Sequence, residues 1–109
     1  MATFKSFEEI DAWKLARALA KEIFLITKER SFSSDFKLIT QMRDSSGSAM
    51  DNIAEGFERN GNREFIQFLT IAKGSCGELR SQIYRSFDRE YLSQENFDRL
   101  LYQAKEVSG

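Results

Sequence analysis

Histidine and proline are both absent from this 109-residue chain, and cysteine occurs once. Without histidine the chain lacks the commonest general base near neutral pH. It also cannot form the Glu-x-x-His pairs with which helical bundles hold metal ions. No metal or organic cofactor is therefore expected. The missing proline is the residue that most disrupts long helices. With only six glycines as well, an all-helical chain is favoured over a turn-rich β fold. The single Cys76 has no partner for an internal disulfide, so a cytoplasmic location is the simplest expectation. Apolar runs fall far short of the roughly 20 residues a membrane span needs. The segment from Met1 to Ile10 carries Glu8 and Glu9 and lacks the basic and apolar regions of a leader peptide, so no membrane partner is expected. Net charge is −1 and the pI about 5.5, which gives the whole chain no electrostatic pull toward nucleic acid.

What the chain has is apolar periodicity. Hydrophobic residues make up 41% of it, enough for a core rather than a disordered segment, and its length argues for one domain over residues 1–109. Ser6 and Glu9 stand at capping-box spacing, with Phe4 packing just before them. Ile10, Trp13, Ala16, Ala20 and Ile23 then recur at three- and four-residue steps, which predicts helix 1 over about residues 7–30. Ser31 to Asp35 reads as a cap-rich break. Helix 2 follows to about Arg59 on the stripe Leu38, Met42, Ala49, Ile53 and Phe57, despite the poor helix formers Ser45 to Ser48. Asn60-Gly61-Asn62 supplies a left-handed glycine and then a cap for helix 3. Phe65, Phe68, Leu69, Ala72, Cys76, Leu79, Ile83 and Phe87 give helix 3 the longest pattern, with Phe68 at its centre. Gly74 and Gly77 lie off that stripe. Ser93 caps helix 4, whose inner face is Phe97, Leu100, Leu101, Ala104 and Val107. Short breaks between long helices imply an all-α, antiparallel, up-down-up-down four-helix bundle.

Several constellations could carry function. Gln41, Ser48, Asn52 and Glu55 follow one side of helix 2; they could form a polar network, an oligomer interface or a solvated face. Lys14, Arg17, Lys21 and Lys28 make a basic stripe on helix 1, able to track a phosphate backbone, with Glu22 and Glu29 nearby to dilute it. Phe24, Ile66, Ile71, Tyr84 and Tyr102 fall off the main stripes, and a lone bundle would leave some of them exposed. That predicts self-association. Cys76 lies in an apolar stripe and reads as packing. Gly74-Ser75-Cys76-Gly77 is mid-helix and lacks the Lys-Ser or Lys-Thr of a phosphate loop. Glu55, Glu64 and Glu78 could do acid–base chemistry if one were buried, which makes an enzyme with an interhelical or intersubunit carboxylate pocket the alternative reading.

One run is distinctive: Asn52-Ile53-Ala54-Glu55-Gly56-Phe57, then Glu64-Phe65, Phe68-Leu69, Ile71-Ala72-Lys73-Gly74-Ser75 and Glu78-Leu79. Upstream stand Phe7-Glu8-Glu9-Ile10-Asp11-Ala12-Trp13-Lys14 and Gln41-Met42-Arg43. Together they resemble the bacterial four-helix-bundle family of 23S rRNA-intervening sequence proteins, over nearly the whole chain. The resemblance implies no established activity. It extends distantly to the accessory proteins of diversity-generating retroelements, and so implies a homo-oligomer, a pentamer first, acting as scaffold or adaptor with RNA or a protein partner. Two departures stand out. This chain is slightly acidic where the retroelement proteins are basic, and Ala49-Met50 replaces an Ile-Pro or Val-Pro pair. Helix 4 is also short by a few turns against that family. With a net charge of −1, binding of RNA is expected to be weak or absent at physiological salt and to depend on the helix 1 stripe.

Overall fold

The computed structural model describes residues 4–109 and forms four helices: α1, Asp11–Ile26; α2, Phe36–Glu58; α3, Asn62–Asp88; and α4, Gln94–Ser108. Among the described residues there is no strand. The fold is all-α, with the helices packed together. The reading of Met1 to Ile10 falls partly outside the described residues. No described helix is long and apolar enough to cross a membrane.

Two apolar clusters set the arrangement. One joins Ile23 near the end of α1, Leu38 and Met42 near the start of α2, Ile83 late in α3, and Leu100 of α4. The other joins Trp13 and Ala16 early in α1, Ile53 late in α2 and Ala72 early in α3, with Val107 from the end of α4 packed against them. Helix starts thus meet helix ends at both poles, consistent with an up-down-up-down succession. The helices also contact one another in chain order, and α4 closes back on α1.

Local chemistry moved several boundaries. α1 starts at Asp11, not residue 7. Ser6 leads into a single 3₁₀ turn, Phe7–Glu9, and makes no side-chain cap. The Glu9 carboxylate accepts instead from the Lys5 amide at 3.3 Å. Phe4 is exposed; Phe7 fills the expected place, edge-on to Trp13 at 5.0 Å between centroids. α1 ends at Ile26, where Thr27 turns its hydroxyl back onto the Ile23 carbonyl at 2.7 Å. The break that follows is more than caps, because Phe32 lies on a second 3₁₀ turn and is fully buried.

The serine-rich middle of α2 stays helical. Ser45 and Ser46 donate to the carbonyls of Gln41 and Arg43, so their polar groups are satisfied inside the helix. Between α2 and α3 the left-handed residue is Asn60, with φ 64°, not Gly61. Gly61 is extended and takes the cap position, so Asn62 is already helical and does not cap. Ser93 does cap α4, accepting from the Asn96 amide at 3.1 Å. On α3, Phe65 and Phe68 are half-buried rather than core, and the fully enclosed stripe begins at Ala72. Arg59 covers Phe68, its guanidinium 5.1 Å from the ring centre.

Asp35 ties the α1–α2 connection to the far end of α3. It accepts from the Tyr91 hydroxyl at 2.9 Å, from Arg89 at 2.7 Å and from the Leu38 amide at 3.3 Å. The Tyr91 bond is the main cause that holds the carboxyl below its ordinary value of 3.8; partial burial pushes the other way, and Arg89 adds to the lowering. A carboxyl with a depressed folded pKa stabilises the fold above the unfolded value and loses that contribution as pH falls through the folded one. Asp35→Asn keeps a capping side chain but removes the charge. The variant should lose stability at neutral pH and show a shallower further loss than wild type when the denaturation midpoint is followed from about pH 5 down to about pH 2. Parallel acid profiles for the two proteins would contradict this.

Candidate interaction surfaces

α2 and α3 meet along a polar seam. α2 turns Gln41, Ser45, Ser48 and Asn52 toward α3 because they recur at three- and four-residue steps beside its apolar stripe. Ser48 and Ser75 share a hydrogen bond of 2.9 Å. The Asn52 amide donates to the Ser48 carbonyl at 2.8 Å and to its hydroxyl at 3.0 Å. Arg85 donates to the Gln41 side-chain oxygen at 2.7 Å. Glu55 stands apart from this network: it is exposed and pairs with Arg59 at 2.7 Å. The seam opens into a groove of about 240 Å³ lined by Gln41, Asp44, Ser45, Ser48, Glu78 and Gln82. Gln82 is buried, yet its side-chain oxygen has no hydrogen-bond partner. The α3 half of the seam was missed in the sequence. Ser75 and Gln82 are seven residues apart, a spacing that could have marked them, but they flank an apolar stripe that masks them.

The three carboxylates of the enzyme alternative do not converge. Glu55, Glu64 and Glu78 are all exposed. Glu64 leans back over Gly61 at the start of α3, and Glu78 lines the groove. Cys76 is buried, and burial is the main cause that raises its thiol above the usual value, which leaves it a packing residue. Among the described residues no group of three or more Cys, Asp or Glu could hold a metal ion.

Lys14, Arg17, Lys21 and Lys28 are all exposed, Lys28 in the turn just past α1. None of the four is in an ion pair among the described residues. Arg17 lies over Trp13 at 5.8 Å and Lys28 over Phe24 at 5.1 Å. Glu22 does not dilute the stripe as its position suggests, because Arg99 of α4 draws it to the other side. Arg43 of α2 was not anticipated here. It stacks on Phe24 at 4.6 Å and donates to the Thr27 hydroxyl at 2.9 Å.

Phe24, Ile66, Ile71, Tyr84 and Tyr102 are all exposed, Tyr102 at 64%. Phe36, at the first position of α2, is the most exposed large apolar residue at 74%. It sits next to the cap and off the stripe, so periodicity gave no signal for it. A second groove, of about 370 Å³, runs between Ala12, Ile66, Leu69 and Val107.

The fold and surfaces define a small four-helix protein with a bonded polar seam, exposed apolar side chains and no convergent catalytic set among the described residues. The family model for 23S rRNA-intervening sequence proteins matches residues 8–109, and the chain belongs to that family. Its function is uncertain and no enzymatic role is known for it. No curated protein matches the chain.

Proposed function

We propose that this protein is a non-enzymatic, cytoplasmic, homo-oligomeric scaffold or adaptor. The exposure of Phe24, Ile66, Ile71, Tyr84 and Tyr102 carries the reading. These residues leave apolar side chains exposed on α1, α3 and α4, and exposed apolar area that a second copy joins into a continuous patch marks an interaction surface. Five copies is the first expected number, on family likeness. The polar seam supports a scaffold in a second way, since a bonded network between α2 and α3 fixes their register and so the shape presented to a partner. Light scattering at micromolar concentrations should give a mass several times the 12.6 kDa of one chain. A monomer mass would overturn the proposal. RNA contact is a second reading, supported by the unpaired cations of α1 and by the ribosomal RNA context in the family's description. With a net charge of −1 a single protomer would hold RNA weakly.

A further inference from the structure

Two stripes of opposite charge on this chain share one spacing. Lys14, Lys21 and Lys28 follow one another at seven residues along α1 and the turn after it. Asp44, Asp51 and Glu58 follow one another at seven residues along α2. Seven helical residues rise about 10.5 Å, so Lys14 and Lys21 on α1 match the interval of Asp44, Asp51 and Glu58 on α2, and Lys28 extends the lysine stripe into the turn past Ile26. All six are exposed, and none is in an ion pair among the described residues. Within one protomer, then, the two stripes do not neutralise each other.

Small residues stand between the charges on both helices. Ala18, exposed, lies between Lys14 and Lys21. Gly47 lies between Asp44 and Asp51, and a Cβ added there would meet nothing within 4 Å. A glycine in the middle of a helix costs about 1 kcal/mol against alanine, and no contact inside this chain requires it. Close approach of a second helix would. The groove beside Asp44 adds an independent sign. There Gln82, 4% exposed, holds a side-chain oxygen without a donor, next to Glu78. Arg85 is committed to Gln41 nearby and offsets part of the local negative charge. A lysine reaching past Asp44 would supply the missing donor.

We infer that α1 of one copy of this chain packs along α2 of a second copy, with Lys14, Lys21 and Lys28 facing Asp44, Asp51 and Glu58. The inference rests on the self-association proposed above and names its interface. Exposed Phe24 and Leu25 lie among the lysines and supply apolar area to the same contact. Because the two surfaces differ, the contact is heterologous: it repeats from copy to copy and closes a ring where the rotation allows. Lys21 and Asp51 are each the middle charge of three, so they oppose one another whichever way the two helices run.

That central pair supplies the test. Self-association of the full chain is followed by sedimentation velocity across a dilution series, with circular dichroism to confirm folding. Lys21→Glu and Asp51→Lys should each weaken association about tenfold, since each places like charges face to face. The double variant, with the charges exchanged, should recover to within about threefold of wild type. Gly47→Ala should also weaken association while leaving the protomer's thermal midpoint no lower, because a Cβ there meets nothing within 4 Å of the same protomer. If either reversal unfolds the protomer, Lys21→Gln and Asp51→Asn take its place, and each should weaken association and flatten its salt dependence. Wild-type assembly that neither reversal changes would overturn this interface and leave the oligomer standing. A monomeric wild type would overturn both. Loss of binding to a labelled RNA in Lys21→Glu, with assembly unchanged, would assign the stripe to nucleic acid and overturn the inference as well.

Discussion

Phe32→Ala should destabilise the protein by about 3–5 kcal/mol, the usual cost of deleting a buried phenylalanine. Phe32 is fully buried. It projects from the short 3₁₀ turn between α1 and α2 into the cluster of Ile23, Leu38 and Met42, and its ring lies 5.1 Å from that of Tyr91. The turn cannot collapse onto the vacated space easily. Its backbone is fixed by the bonds from Phe32 to Glu29, Ser33 to Arg30 and Asp35 to Phe32, each 2.9 to 3.0 Å. Asp35 then anchors it to Tyr91 and Arg89. Domains of this kind have net stabilities of about 5–15 kcal/mol, so the loss is a large fraction of the total. A denaturant titration should show a clearly lower midpoint at an unchanged slope. Phe68→Ala should cost less, because Phe68 is half-buried under the exposed Arg59 side chain and the removed ring is not sealed in. A Phe68 variant less stable than the Phe32 variant would contradict the packing described above.

These two phenylalanines also show where the sequence was legible and where it was not. Phe68 falls on the apolar period of α3, and period alone points it inward. Period describes one helix, however, and in the first turns of α3 Phe65, Phe68 and Leu69 lie at the edge of the apolar layer, only half-buried. Phe32 is surrounded by Ser31, Ser33 and Ser34, so nothing local marks it; the fold of the connection decides its burial. The same division runs through the surfaces. That Phe24, Ile66, Ile71, Tyr84 and Tyr102 would face outward needed only angles around each helix, and those are set by the backbone. Gln41, Ser48 and Asn52 could be aligned for the same reason. Their partners Ser75 and Arg85 depend on the rotation of α3 against α2, which is a tertiary quantity. Caps were legible where one side chain had no competitor, as at Ser93. In Asn60-Gly61-Asn62 the left-handed residue and the cap each fall one place earlier than residue type suggests, since neighbouring residues suit both roles.

Gly56→Ala should destabilise the protein by about 1–2 kcal/mol, although the same change at Gly74 should stabilise it by up to about 1 kcal/mol. Both glycines are helical, and both lose the same conformational freedom on folding. Their surroundings decide the sign. A Cβ on Gly74 would meet nothing within 4 Å, so alanine there gains helix propensity at no steric cost. A Cβ on Gly56 would lie 2.6 Å from the Phe68 Cβ, 3.2 Å from a Phe65 ring carbon and 3.4 Å from the Phe65 carbonyl oxygen. The Phe65 ring can swing aside. The Phe68 Cβ cannot, because it is bonded directly to the α3 backbone. The two helices must therefore part where Asn52-Ile53-Ala54-Glu55-Gly56-Phe57 crosses α3, and overpacking of this kind costs about 1–3 kcal/mol. The gain in propensity offsets only part of it. This contact gives the run's glycine a physical reason: it lets α2 and α3 approach at the crossing that also positions Phe57 against Phe65, 6.2 Å between ring centres. For a chain of this length 1 kcal/mol moves the thermal midpoint by about 4–8 °C, so the two variants should lie on opposite sides of wild type in a melting experiment. If Gly56→Ala melts higher than wild type, α3 yields at the crossing without cost, and close helix approach is not what the glycine provides.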